Sequence, residues 1–164
     1  MTASPEWLSF PEQDTWRAFL QAGNLLTAQL ETTLKTAHNL PLSDFEILLI
    51  LSEAPDHRLP MSELATQTVL QKSRLTYRVT ALENAGHVIR QSCPDDKRVI
   101  WTVLTEQGFA FLTAAAQTQL ALARTHFTPS LQENDPTQLT RFCQRLIASL
   151  KTPPSASVCE TPGP

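Results

Sequence analysis

Residues Met61–Gly108 read MSELATQTVLQKSRLTYRVTALENAGHVIRQSCPDDKRVIWTVLTEQG, and the change of period inside this stretch decides the fold. Pro60-Met61 leads into a short helix, with Ser62 as its expected cap and Leu64 and Ala65 turned inward. A tight connection near Val69–Gln71 follows, then a helix from about Lys72 to Ala85. Leu75, Val79 and Leu82 fall within one narrow arc of that helix, and Gly86 stands where a left-handed stop is expected. Beyond Gly86 the period drops from 3.6 to 2. His87–Ser92 and Val99–Leu104 read as the strands of a two-stranded hairpin, with the polar turn CPDDKR as a basic tip.

Working outward, residues 1–13 hold two prolines and read as an N-terminal arm, and residues 14–38 as an amphipathic helix carrying Trp16, Phe19, Leu20, Leu26, Leu30 and Leu34. Ser43 and Glu46 have the spacing of a capping box, with Leu42 and Ile47 as its staple, for a helix that ends at Ala54 before Pro55. Thr105 is placed to cap a long helix running to about Phe127. Asp135-Pro136-Thr137-Gln138 opens a last helix as cap, first-turn proline and box glutamine. Residues 42–106 form the central domain, 107–151 the long helix and the last helix, and 152–164 a Pro/Ser-rich tail expected to be disordered. The fold class is mainly α, with six helices and a hairpin between the fourth and fifth.

The chain has 164 residues and a formal charge of −3, a balance that by itself speaks weakly against a nucleic-acid binder. The charge is uneven, however. Residues 72–98 hold six cations (Lys72, Arg74, Arg78, Arg90, Lys97, Arg98) against three acids (Glu83, Asp95, Asp96), a local +3 on a scaffold of −6. Such a segment suits a face that meets phosphate; scattered surface charge is the alternative. The longest apolar run, Ile47–Leu51, is far below the roughly 20 residues of a membrane span. The N-terminal MTASPEWLSF lacks the pattern of a signal peptide, so the expected location is the cytoplasm, with no membrane partner. Cys93, Cys143 and Cys159 have no metal-ligand spacing, and no metal or other cofactor is expected. No phosphate loop, nucleophile elbow or carboxylate cluster points to an enzyme.

Short helix, tight turn, helix and hairpin is the order of a winged helix-turn-helix, whose second helix buries one side and offers the other to the major groove. With Leu75, Val79 and Leu82 inward, Ser73, Thr76, Tyr77 and Thr80 lie opposite, with Lys72 at the start and Arg74 and Arg78 on one flank. Hydroxyls and an aromatic can approach base edges, and the arginines suit phosphate or guanine. Lys97 and Arg98 at the hairpin tip have the charge to enter a minor groove.

With MSELA, RLTYRVTALENAG and CPDDKRVIWTVLTEQG in place, the chain resembles the MarR family of transcriptional regulators from about Trp7 to Leu150. The Cys-Pro at the wing and the opening WLSFPEQDTWRAF are similar to an actinobacterial branch of it. The family's Asp-x-Arg wing pattern falls on Asp96 and Arg98, which implies that Asp96 orients Arg98 toward the minor groove. The chain departs from the pattern at Gln71, where many members have Ser or Thr, and at Tyr77, where many have arginine. The resemblance implies a homodimeric repressor on an inverted-repeat duplex, paired through N- and C-terminal dimerisation helices. Leu139, Phe142, Leu146 and Leu150 are the stripe expected in that interface. It also implies release by a signal, either thiol oxidation or a small aromatic or lipophilic ligand. Cys93, Cys143 and Cys159 are the candidates for the first. Trp16, Phe19, Phe45, Phe109 and Phe111, with Arg17 or His38 as carboxylate partners, are candidates for lining a pocket for the second. Plain core is the alternative for any of these aromatics, and a helical protein-interaction module is the alternative to DNA binding.

Overall fold

The computed structural model describes residues 8–92 and 98–151 and divides into two compact units, the first ending at Leu122 and the second beginning at Ala123. In the first unit, α1 (Phe10–His38) starts earlier than its apolar periodicity indicates. The Ser9 amide donates to the Glu12 carboxylate at 2.8 Å, and Pro11 sits in the first turn, where its missing N–H costs nothing. The expected arm therefore gives way to helix from Phe10. At the other end Asn39 adopts φ 53°, and the Leu40 amide reaches back to the Leu34 carbonyl, closing the helix where expected.

The helix α2 (Leu42–Glu53) is apolar on nearly every side because it forms the middle of the core, burying Phe45, Ile47, Leu48 and Leu51. Ser43 does not cap it. The chain enters behind Pro41, and the Leu42 amide is satisfied at 2.7 Å by the carboxylate of Glu31 on α1, an acid placed at a helix N-terminus.

After a tight turn with Asp56 and His57 both at positive φ comes a strand the sequence reading does not contain, β1 (Arg58–Pro60). Next are α3 (Met61–Gln67), which starts one residue ahead of Ser62, and α4 (Lys72–Asn84). The strands β2 (Val88–Ser92) and β3 (Ile100–Leu104) pair antiparallel, Arg90 opposite Thr102. The sheet has the order β1-β3-β2, so the wing is the outer part of a three-stranded sheet rather than an isolated hairpin.

Helix α5 (Glu106–Leu122) is capped as expected by Thr105, whose Oγ1 accepts from the Gly108 amide at 2.9 Å and donates to the Gly86 carbonyl at 2.7 Å. This one hydroxyl ties the end of the α4 turn to the start of α5. Gly108 is required there, since a Cβ would lie 2.0 Å from the His87 carbonyl oxygen. The core of the unit joins Leu34, the apolar side of α2, Leu59, Leu64, the inner arc of α4, Val88, Leu104, Leu112 and Ala115.

In the second unit, a π-wound turn (Ala123–Phe127) and a short 3-10 turn (Thr128–Ser130) precede α6 (Asp135–Lys151). Asp135 is the first helical residue rather than the cap, and its carboxylate accepts from the Gln132 amide at 2.9 Å. No residue of α6 is buried. Among the described residues no helix is long and apolar enough to cross a membrane.

Candidate nucleic-acid interface

The interface is built around α4. Its inner arc, Leu75, Val79 and Leu82, is buried as expected. The four-residue repeat therefore leaves Lys72, Ser73, Arg74, Thr76 and Tyr77 exposed together on the other side, with Tyr77 68% exposed. The Thr76 hydroxyl donates back to the Lys72 carbonyl at 3.0 Å, a local bond that keeps its side chain against the helix.

Two members of the expected reading face have other work. Arg78 does not flank Arg74 as a second cation for DNA. Its guanidinium makes a bidentate pair with the Asp44 carboxylate on α2, which is 5% exposed. Hydrogen bonding to Asp44 raises the Arg78 pKa above its ordinary value. A buried carboxylate inside an apolar helix needs such a partner, and the nearest turn of α4 supplies it. Thr80 is half-buried and its hydroxyl is used twice, donating to the Thr76 carbonyl at 2.9 Å and accepting from Arg90 Nη2 at 2.8 Å. Neither side chain is therefore available to read a base edge.

Three residues outside the expected contact set take part: Asp44, which the sequence does not single out, and Glu83 and Arg90, which it shows only as charges of the basic segment. Arg90 on β2 donates through Nη1 to Glu83 Oε2 at 2.8 Å, and its backbone amide donates to Glu83 Oε1 at 3.0 Å. The signal available for Asp44 is an acid next to Phe45 near the start of a mostly apolar helix.

Beside α4, Arg98 is exposed at the start of the β3 limb. A groove of about 450 Å³ between the helix and the sheet is lined by Lys72, Arg90 and Arg98 together with apolar Met61, Leu75, Val99 and Ile100. Lys97, the orienting Asp96, Cys93 and Cys159 lie outside the described residues.

The ligand-pocket candidates do not converge. Trp16, Arg17 and Phe19 occupy the exposed first half of α1, where Arg17 pairs with Asp14 at 3.7 Å. His38 lies 22 residues further along the same helix, which at 1.5 Å per residue is about 33 Å away. One small cavity within a single chain cannot be lined by both ends. Phe45 is core. Phe109 is partly exposed and packs near His57, ring centroids 5.3 Å apart. His38 and Phe111 do come together: Phe111 meets His38 edge-on at 6.2 Å and stacks on His87 at 4.3 Å, while His38 Nε2 bonds Thr118 Oγ1 at 2.8 Å. Burial lowers the His87 pKa, and among the described residues its Nδ1 has no hydrogen-bond partner.

On α6, Leu139, Phe142 and Leu150 are exposed, the last at 77%, while Leu146 and Cys143 are half-buried.

Comparison with known proteins agrees with this architecture. The family model for the MarR family matches residues 40–100. The homoprotocatechuate degradative operon repressor of Escherichia coli is 30% identical over 80% of this chain and 86% of its own. Among solved structures, the MarR family transcriptional regulator AbsC of Streptomyces coelicolor aligns with a TM-score of 0.82 at 38% identity, covering 89% of this chain and 98% of that one. Sco3205 of the same organism, a MarR family transcriptional regulator solved in complex with DNA, aligns with a TM-score of 0.83 at 31% identity over 96% and 98%. With a winged helix-turn-helix built on α3, α4 and the β2–β3 wing, and with these likenesses over most of its length, the chain belongs to the MarR family of transcriptional regulators.

Proposed function

We propose that the chain is a dimeric transcriptional repressor that acts in the cytoplasm and binds an inverted-repeat duplex through α4 in the major groove and the wing in the minor groove. The observation that carries this reading is the division of α4 into a buried apolar arc and an exposed face of Lys72, Ser73, Arg74, Thr76 and Tyr77, with Arg98 across a groove from its first turn. Hydroxyls and a ring in the middle meet bases, and cations at the edges meet phosphates. The Sco3205 complex with DNA supports the same role for this chain. A second copy covers the apolar faces of α1 and α6, which leave Trp16, Leu20, Leu25, Leu139, Phe142 and Leu150 exposed in one chain. Two basic heads are thereby presented to two half-sites.

The test is the salt dependence of binding to a duplex selected by the chain from a randomised pool. Arg98→Ala removes a cation from each head and is expected to weaken binding and flatten the slope of log K against log salt by about one unit per protomer. Unchanged affinity and slope would refute a wing contact through Arg98.

Two release signals fit. Cys143, half-buried beside Phe142 and Leu146, is a thiol whose oxidation would insert polar oxygen into the proposed interface. A small aromatic carboxylate is the second, favoured by the E. coli repressor of an operon that degrades the aromatic acid homoprotocatechuate. Peroxide titration of Cys→Ser variants in the DNA-binding assay separates them. Release that persists in all three variants excludes the thiol route.

A further inference from the structure

Arg90 holds the recognition helix from the sheet side. Through Nη2 it donates to Thr80 Oγ1 at 2.8 Å and to the Thr76 carbonyl at 3.1 Å, and through Nη1 to Glu83 Oε2 at 2.8 Å. Thr76, Thr80 and Glu83 follow one another at four- and three-residue spacing, so they form a single line along two turns of α4. One side chain from β2 therefore grips two turns at once, and the planar fork of an arginine is what spans the three acceptors. The guanidinium is well covered, its side chain being 25% exposed, and the Glu83 carboxylate faces it directly. On α2, Asp44 takes Arg78 from the same helix. Rotation of α4 about its axis is thus fixed from the sheet and from the core.

That rotation matters for reading. Side-chain tips lie about 5–6 Å from a helix axis, so a turn of about 20° moves Tyr77 and Ser73 by about 2 Å, more than a hydrogen bond to a base edge tolerates. Resting on the DNA-binding role proposed above, we infer that Arg90 is a positioning residue for sequence specificity. It acts through α4 instead of touching DNA, and it keeps the major-groove face and the wing at one fixed spacing. The competing role is a phosphate contact, because Arg90 lines the same groove as Lys72 and Arg98.

The two roles separate in one experiment. Affinities for a duplex selected by the wild-type chain from a randomised pool, and for a scrambled duplex of equal length, are measured against salt for the full-length chain and for Arg90→Lys, Arg90→Met and Thr80→Val. A positioning role predicts that both Arg90 variants lose selected-over-scrambled preference by about tenfold or more, the scale of a mismatched base pair, with an unchanged salt slope. Thr80→Val, which removes one acceptor and no charge, is expected to shift the preference in the same direction by less. If Arg90→Met unfolds below the assay temperature, Arg90→Lys and Thr80→Val carry the test.

Wild-type preference in Arg90→Lys and Thr80→Val overturns the inference. So does a slope reduced by about 0.9 per protomer in Arg90→Met with the preference intact, which would make Arg90 a phosphate ligand. A wild-type chain with no preference for any selected duplex overturns the DNA-binding reading itself and this inference with it. A wild-type chain that binds selectively while its variants do so equally well overturns the inference alone.

Discussion

Replacing Asp44 by asparagine is expected to destabilise the fold strongly while leaving its shape intact. The carboxylate is 5% exposed and accepts both arms of the Arg78 guanidinium, whose side chain is 19% exposed. Removing one partner of a fully buried pair costs about 3–5 kcal/mol, because the remaining charge is left in a low-dielectric site. Arg78 keeps some access to water, and an amide oxygen still accepts one bond, so the expected loss is smaller, about 2–3 kcal/mol. Spread over a chain of this size, that lowers Tm by about 4–12 °C. Circular dichroism melts of Asp44→Asn, Asp44→Leu, Arg78→Met and Asp44→Leu/Arg78→Met make the measurement. The double replacement is expected to recover most of the loss, since it removes both charges and leaves two apolar side chains in contact with the core. An Asp44→Asn melt within 1 °C of wild type, or a double variant whose loss is the sum of the Asp44→Leu and Arg78→Met losses, would refute the idea that this pair anchors α4 to α2.

Two further outcomes follow from the junction of α4, β2 and α5. Gly108→Ala places a methyl carbon 2.0 Å from the His87 carbonyl oxygen, and the backbone of α5 must move; a loss of about 3 kcal/mol is expected in denaturant titration, and a loss below about 0.5 kcal/mol would contradict the packing. Burial holds the His87 pKa below 6.5, so in the unfolded chain this imidazole takes up a proton at a pH where the folded one stays neutral. Stability therefore falls as pH drops below about 6.5, and His87→Phe is expected to flatten that part of the Tm–pH profile. An identical profile in the variant would remove His87 as its source. For the dimer, Phe142→Glu on the exposed stripe of α6 is expected to shift sedimentation from dimer to monomer, whereas an unchanged dimer would place the interface elsewhere.

Local chemistry was readable in the sequence, and long-range partner choice was not. The inner arc of α4, the Gly86 stop with its φ of 79° and the Thr105 cap depend on residues within a few positions of one another, and all three stand in the structure. The strand β1 is three residues long, ends in proline and follows two left-handed residues, so no alternating pattern announces it; its existence depends on the edge that β3 presents 43 residues later. Ser43 and Glu46 had the spacing of a cap, but Glu31, eleven residues upstream, reaches the Leu42 amide instead. Arg78 looked like a DNA contact because helix periodicity places it beside Arg74; only the fold brings Asp44, 34 residues away, to the same place. The same limit explains Arg90, whose acceptors lie on a helix that the sequence shows only as an amphipathic pattern.

In the proposed function the exposed face of α4, held at a fixed rotation and doubled by a second copy, reads sequence in the major groove. A hydroxyl-radical and methylation-interference footprint of the full-length chain on its selected duplex tests this most directly. Two protected half-sites related by a twofold axis are predicted, their centres about 10–10.5 base pairs or a multiple of that apart, with base-specific interference that Tyr77→Ala weakens. A uniform footprint that ignores sequence and does not change in Tyr77→Ala would contradict it.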